Sequence, residues 1–306
     1  MDKDSCFGWR KNGKNMRKTF AMTGAAGYVA QRHMQAIKDT GNDLIAVLDP
    51  HDALGILERY HPNAYCFSTE NNLEAFLREH PVDYLTICSP NHLHFEHIAL
   101  GLRCGANIIC EKPLVIQPDQ LDALLALRQI HQRAIHTILQ LRLLPSVQLL
   151  QKVISESDAY HQVEVRYITS RGKWYHHSWK GQDQLSGGLI TNIGIHLFDL
   201  LLWLFGPLER AELIYKTKEF VNGKLYLRKA EVNWTLSTDP SRLPESAKEQ
   251  GKKTFREINI DGQELRLDEG LEELHTKCYQ EILMGKGPGI NEAAPSILLC
   301  HLLVNL

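Results

Sequence analysis

Three absences in this 306-residue chain each exclude a class of function. The seven cysteines, at 6, 66, 88, 104, 110, 278 and 300, include no Cys-x-x-Cys pair. That argues against a zinc site or a disulfide framework and suits scattered thiols in a reducing, cytoplasmic compartment. Neither sign of charge dominates, with 34 Lys and Arg against 36 Asp and Glu, so no polyanion such as nucleic acid is expected as a partner. No run is long and apolar enough to span a bilayer; the longest, Leu197 to Phe205, is interrupted by Asp199. No membrane partner is expected. The N-terminal segment is polar and basic and lacks the apolar stretch of a secretory signal. Residues 1–15 read as a disordered leader, and a second methionine, Met16, stands where translation could begin.

What is present fits a soluble globular protein with two sizeable cores. From Arg17 to Leu139, short apolar runs alternate with helical patterns. Strands are expected at Arg17–Thr23, Leu44–Leu48, Ala64–Phe67, Tyr84–Cys88, Asn107–Cys110 and Ala134–Leu139. Helices are expected at Tyr28–Asp39, Ala53–Tyr60, Asn72–Glu79, Leu93–Leu102 and Pro118–Gln132. Such alternation implies a doubly wound parallel sheet. The pattern then changes. Val147–Ser155 is helical, and Val163, Val165 and Tyr167 alternate with polar residues as in a half-exposed antiparallel strand. Gly187–Phe205 is a long apolar helix. Asn222-Gly223 and Asp261-Gly262 read as hairpin turns, Asp239–Lys253 as a loop, and Leu271–Met284 as an amphipathic helix. The fold class is α/β: a Rossmann domain over 16–140, then an α+β domain over 141–306 with a mostly antiparallel open sheet.

Four segments carry chemistry. Thr23-Gly24-Ala25-Ala26-Gly27-Tyr28-Val29-Ala30 joins the first strand to the first helix. It matches the second and third positions of the dinucleotide fingerprint at Gly27 and Ala30, with Ala25 at the first. Small residues there let a pyrophosphate approach the free N–H groups of the helix start. Asp49 ends the second strand about 20 residues on, where a carboxylate accepts from ribose hydroxyls and repels a 2′-phosphate. That favours NAD over NADP, unless Asp49 only opens an Asp-Pro turn. Ser89-Pro90-Asn91-His92-Leu93-His94 closes the fourth strand, where a loop can lie against the nicotinamide ribose. His92, His94 and His97 lack the second carboxylate-rich cluster that a metal site needs, so no metal is expected; His94 and His97 belong on the first turns of a helix.

Cys110-Glu111-Lys112-Pro113 follows the fifth strand. A charged pair at the carboxyl end of a parallel strand sits where open α/β sheets bind ligands, although a solvated loop pair would read the same. Asn192, His196 and Asp199 fall at i, i+4 and i+7, on one face of an otherwise apolar helix. Polar groups placed there need partners or a ligand.

Together the glycine turn with His33 after it, Ser89 to His94, Glu111-Lys112-Pro113 and Gly194-x-His196-x-x-Asp199 resemble the Gfo/Idh/MocA oxidoreductase family. The likeness runs from Lys18 to about Gly289. Within the family the chain is most similar to UDP-N-acetylglucosaminuronate 3-dehydrogenases of bacterial O-antigen and lipopolysaccharide synthesis, of the WlbA/WbpB type. That narrower likeness rests on Gly24 to Ala30, Ile138 to Arg142, Tyr167 to Tyr175, Ser178 to Gly181, and Asn192 where many relatives carry Asp.

The resemblance implies NAD as cofactor and oxidation of a sugar 3-hydroxyl. It assigns Lys112 and His196 as the catalytic pair. It places Gly24, Ala26, Gly27, Tyr28, Val29, Asp49, Ser89, Pro90, Asn91, His94, Glu111, Lys112 and Gln140 at the cofactor. Arg171, Trp174, Tyr175, Thr191 and Asn192 would join Lys112 and His196 at a UDP-sugar. It further implies 2-oxoglutarate as a hydride acceptor that regenerates NAD, and a homo-oligomer, dimer or tetramer, built through the open sheet. The tail from Ala293 to Leu306 is expected to depart from the family's usual closing helix, as if truncated. Two other readings stand beside this one: a family member acting on another sugar or inositol, and a non-catalytic NAD-binding protein.

Overall fold

The computed structural model describes residues 17–267 and 273–306. The leader and the first two residues of the helix expected over 271–284 lie outside the described residues. The first sheet is built from β1 (Thr19–Thr23), β2 (Asp43–Leu48), β3 (Tyr65–Phe67), β4 (Tyr84–Ile87), β5 (Asn107–Cys110) and β6 (Ile135–Thr137). It is parallel throughout, in the order β3-β2-β1-β4-β5-β6. The crossovers are α1 (Ala30–Asp39), α2 (Leu54–Tyr60), α3 (Glu70–Glu79), α4 (His94–Arg103) and α5 (Asp119–His131). The order reverses between β1 and β4, and that switch point is where such sheets open a crevice for ligands.

The second layer starts with α6 (Pro145–Ser155), β7 (His161–Thr169) and two short helices, α7 (Lys173–His177) and α8 (Asp183–Ser186). A wide π-helical turn, Ile190–Gly194, then feeds α9 (Ile195–Phe205). The strands β8 (Leu208–Lys216), β9 (Phe220–Leu227) and β10 (Ala230–Ser237) follow, then α10 (Glu245–Glu249), β11 (Thr254–Ile260) and β12 (Gln263–Glu264). Their order is β12-β11-β7-β10-β9-β8, and among these pairs only β7–β10 is parallel. Val221, Leu225, Leu227, Ala230, Val232, Trp234 and Leu236 form the buried face, with Trp234 edge-on to Phe198 of α9 at 5.2 Å.

Several expectations need correction. Asn222-Gly223 is not a turn but the middle of β9. Gly223 is small because a Cβ there would strike the Trp234 ring and the Glu212 carbonyl. Asp261-Gly262 does turn the chain between β11 and β12. The loop expected over 239–253 contains α10. The helix expected over 187–205 starts after two left-handed glycines, Gly187 and Gly188, and is π-helical in its first turns. By length and composition Asp183–Phe205 could cross a membrane, but 72% of its apolar window is buried within the fold.

The last two helices, α11 (Leu274–Leu283) and α12 (Ile290–Asn305), change the domain division. Cys278, Tyr279 and Ile282 of α11 join the core formed by Phe20, Met34 and Ile37, so this segment completes the Rossmann layer. Pro288 then accepts from the Thr137 amide at 3.0 Å, beside β6. The tail over 293–306, expected to depart from the family's longer closing helix, lies in α12, whose Ile297, Cys300 and Leu303 are buried in the core that also holds Leu197 and Leu200 of α9.

Arg142 ties these parts together. It donates to Asp199 through Nε at 2.9 Å and one terminal nitrogen at 2.6 Å, and to the Glu292 carbonyl at 3.2 Å. Asp199, singled out for its place on the polar helix face, is therefore a structural partner. Burial pushes its carboxyl pKa up even against Arg142. Removing one member of a buried pair strands the other, so Asp199→Ala is expected to cost about 3 kcal/mol. A denaturant midpoint within error of the wild type would overturn that role.

Candidate active site

A cleft of about 1020 Å³ opens at the switch point, between the Rossmann strand ends and the second sheet. On the Rossmann side it is lined by Gly24, Ala26, Gly27, Tyr28, Val29, Asp49, Ser89, Pro90, Asn91, His94, Glu111, Lys112 and Gln140, every position expected at the cofactor. Gly24 has φ +77°, and a Cβ on it would run into the Cys88–Ser89 backbone, so only glycine fits this turn. α1 has no side-chain cap and no acidic residue in its first turn; Ala30 and Arg32 donate to the Gly27 and Val29 carbonyls, and no side chain of the helix competes for an anion at its other N-terminal amides. The Asp49 carboxylate accepts from the Ala26 amide at 2.8 Å and the His51 amide at 2.9 Å. An ionised carboxylate has about four acceptor sites, so two remain for ribose hydroxyls. These features fit a dinucleotide.

His94 and His97 do lie on the first turns of α4, as expected. His94 Nδ1 is 2.6 Å from the Pro113 carbonyl and Nε2 3.0 Å from the Ser89 carbonyl, which pins together the two loops at the cleft floor. Burial pushes its pKa down to about 4, so the neutral ring donates to one carbonyl at a time. His97 spans Ser89 Oγ at 2.8 Å and Glu70 at 3.1 Å.

Glu111 sits in a buried cluster. Its Oε1 lies 2.9 Å from His33 Nε2 and 3.2 Å from His275 Nε2. His33 Nδ1 is 2.9 Å from the Tyr279 hydroxyl, which is 2.9 Å from Thr86 Oγ1. Burial opposes a charge on Glu111, but the hydrogen bonds from His275 and His33 outweigh it and hold the carboxyl well below its usual range. The three groups are close enough to invite a metal reading. Both imidazoles, however, aim one nitrogen at the same oxygen, the arrangement of two N–H donors on an anion.

Lys112 and His196 face the same cleft. Lys112 Nζ donates to the Asn192 carbonyl at 3.0 Å, inside the π-helical turn. Burial pushes the Lys112 pKa down. Burial and then the Lys112 charge push His196 well below its ordinary value, so its ring is neutral at physiological pH. Asn192 Nδ2 donates to the Tyr175 hydroxyl at 3.3 Å.

Two expected substrate residues do not reach the cleft. Successive residues on a helix point in different directions, so Asn192 takes the cleft face while Thr191 turns away, packs on Gly187 and lines a separate small cavity. On α7, Tyr175 turns inward, and Trp174 is 56% exposed outside the cleft.

Other residues line the cleft without having been expected there: Arg256, Lys180, Tyr167, Trp179 and His275. Arg256 donates to the Tyr167 hydroxyl at 3.2 Å, across the β7–β11 pair. Arg171 stacks 5.7 Å from the Tyr175 ring. The Nε atoms of Arg171 and Arg256 are buried without partners, and neither residue forms an ion pair among the described residues. His275 had a legible signal, since with Cys278, Tyr279 and Ile282 it forms the buried face of α11. A polar group at such a position calls for a partner.

The chain matches the model of an oxidoreductase family with an NAD-binding Rossmann fold over residues 18–138, and the C-terminal alpha/beta domain of the same family over 159–240. It belongs to the Gfo/Idh/MocA oxidoreductases. The WlbA (WbpB) dehydrogenase of Thermus thermophilus, solved with NAD and UDP-GlcNAcA and also with NAD and alpha-ketoglutarate, is 44% identical, with a TM-score of 0.91 over 94% of this chain and 95% of that one. The WlbA dehydrogenase of Bordetella pertussis, at 20% identity and a TM-score of 0.79 over 94% of this chain and 95% of that one, shares the fold. D-Glucoside 3-dehydrogenase of Escherichia coli is 29% identical over 59% of this chain and 52% of its own length. The chain spans 38% to 58% of the length of the first curated relatives.

Asp49→Ser leaves no carboxylate to receive the ribose or repel a 2′-phosphate. Affinity for NAD is expected to fall about tenfold or more, with NADP relatively favoured. An unchanged NAD/NADP affinity ratio would sink the assignment.

Proposed function

We propose that this oxidoreductase uses NAD to oxidise the 3-hydroxyl of UDP-N-acetylglucosaminuronate, in the cytoplasm, as a step of O-antigen sugar synthesis. One observation carries the choice of an acidic nucleotide sugar over a free polyol. The second-domain wall of the cleft presents Arg171, Lys180 and Arg256 and no Asp or Glu. None of these three forms an ion pair among the described residues. A neutral inositol would leave that charge uncompensated, whereas a uronate and a diphosphate would neutralise it. The similarity to the Thermus dehydrogenase supports the same choice, and its complex with alpha-ketoglutarate supports 2-oxoglutarate as the acceptor that regenerates NAD. The open face of the second sheet is the surface we assign to a homo-oligomer.

A bound nicotinamide would take the hydride from C3. The residues of this chain handle the proton. Burial moves Lys112 toward the working pH, where a neutral amine can accept the hydroxyl proton. His196, neutral and too acidic to hold a second proton beside Lys112, would orient the hydroxyl. Asn192 and Tyr175 would position the sugar and Arg171 its anionic groups.

Adding UDP-N-acetylglucosaminuronate to the NAD-loaded protein should raise absorbance at the reduced-nicotinamide band, and inositol or free glucose should not. A response to the free polyols alone would overturn the substrate choice; no response to either would support the non-catalytic alternative. Lys112→Ala and His196→Asn should each lower turnover by ~10²–10⁴-fold, with the double variant less impaired than the product of the two.

Lys112→Arg should be as inactive as Lys112→Ala, because arginine stays protonated. In the wild type, turnover should rise with pH through a pKa below the ordinary lysine value. An active arginine variant would instead make Lys112 a fixed cation.

Arg256→Met should raise the KM for the sugar nucleotide about tenfold or more while NAD affinity holds. An unchanged KM would remove Arg256 from the substrate site.

A further inference from the structure

His275 is the one imidazole in the Glu111 cluster that also borders the cleft. Its tautomer is fixed by what surrounds it. Glu111 is held as the anion and can only accept, so the His275 nitrogen 3.2 Å away, Nε2, carries the hydrogen. The same oxygen binds His33, whose other nitrogen faces the Tyr279 hydroxyl and closes that branch of the network. In the neutral ring Nδ1 of His275 is then a lone-pair acceptor. It is buried, and no described residue offers it a hydrogen. Gln140 also has a buried, unpartnered side-chain oxygen in the cleft, but an amide can rotate to present either end. An imidazole with Nε2 engaged by a carboxylate has no such freedom.

A buried acceptor without a protein donor takes its hydrogen from water or from a ligand, and one that borders a ligand cleft is open to the ligand. The position of His275 narrows which ligand that is. His275 lines the same cleft as Lys112 and His196, and the carboxylate it donates to belongs to the residue directly before Lys112, so His275 stands near the reacting centre. It reaches that centre from α11, on the Rossmann side and opposite the cationic wall. If the cleft binds NAD as proposed above, the hydride-accepting ring carbon lies near Lys112 and His196, and the carbon next to it bears the carboxamide.

We infer that His275 Nδ1 accepts a hydrogen bond from the carboxamide N–H of the nicotinamide, with Glu111 holding the ring in the accepting tautomer. His275 thereby sets the rotation of the nicotinamide about its glycosidic bond, and so which face of the ring meets the sugar. It is a cofactor-contacting residue and handles no proton of the reaction.

The test is a binding cycle between one side chain and one ligand group. The 3-acetylpyridine analogue of NAD replaces the carboxamide NH₂ by a methyl and has no hydrogen to donate. Affinities of NAD and the analogue are measured by calorimetry for the wild type, His275→Gln and His275→Asn. Gln keeps a donor near the Nε2 position and loses the group at Nδ1, whereas Asn keeps an acceptor near Nδ1. The wild-type preference for NAD should shrink about tenfold in His275→Gln and be largely retained in His275→Asn.

A preference unchanged in His275→Gln would overturn the inference, as would a loss confined to sugar-nucleotide binding. If both variants fail to fold, nitrogen NMR of the unaltered protein decides. The Nδ1 resonance of His275 should sit at the unprotonated position and move when NAD is added but not when the analogue is added; a protonated Nδ1, or equal responses, would overturn it. A wild-type protein that binds no NAD would refute the cofactor assignment itself, an outcome distinct from either of these.

Discussion

The Glu111 carboxylate is a negative charge buried where the two halves of the molecule meet, and much of the architecture supplies it with donors. The loop after β5 provides the Lys112 amide at 3.2 Å, α1 provides His33 and α11 provides His275. A buried carboxylate without such partners would take up a proton or destabilise the fold. The chain must therefore return from the second sheet to the first before it ends. That return places α11 against α1 and gives the Rossmann layer the aromatic core of Phe20 and Tyr279, 5.8 Å apart. Lys112 follows Glu111 directly, so the anchor of the carboxylate is also the anchor of the residue assigned to proton transfer.

The two walls of the cleft differ in kind. The Rossmann wall offers backbone donors and carboxylate acceptors, matched to a dinucleotide whose phosphates and riboses alternate between those needs. The opposite wall offers cations stacked on aromatic rings, Arg171 on Tyr175 and Arg256 on Tyr167 at 4.6 Å. Stacking holds a guanidinium in place without neutralising it. The charge is thus presented to the cleft rather than spent inside the protein.

The Rossmann half was legible because its signals are local. Apolar runs such as Tyr84–Ile87 and Asn107–Cys110, buried on both faces, can be little other than central parallel strands, and Gly24 and Asp49 act within one β-α-β unit. The cleft residues of the second half were less legible because they depend on tertiary placement. Arg256 matters because β11 pairs with β7, and no sequence spacing encodes that register. Asn222-Gly223 carries a strong local turn signal, yet the glycine answers to Trp234 on the next strand. Thr191 and Asn192 read as one motif, but their side chains leave the helical turn about 100° apart, and Thr191 lines the smaller cavity instead. Asp199 sits on the expected polar face and is taken up by Arg142, 57 residues away in sequence.

The π-helical turn at Ile190–Gly194 has a consequence of its own. Such a turn holds one residue more than an α-helical turn, and by widening the coil it leaves a carbonyl without its usual amide donor. Within this turn the Asn192 carbonyl receives Lys112. In evolutionary terms the turn is equivalent to a single-residue insertion in an ordinary helix. Deleting one residue from it would rotate His196 by roughly 100° relative to what precedes it. That Lys112 and His196 line one cleft is thus written in the length of this segment as well as in its letters, and a comparison that scored substitutions but ignored gaps would miss the change that abolishes it.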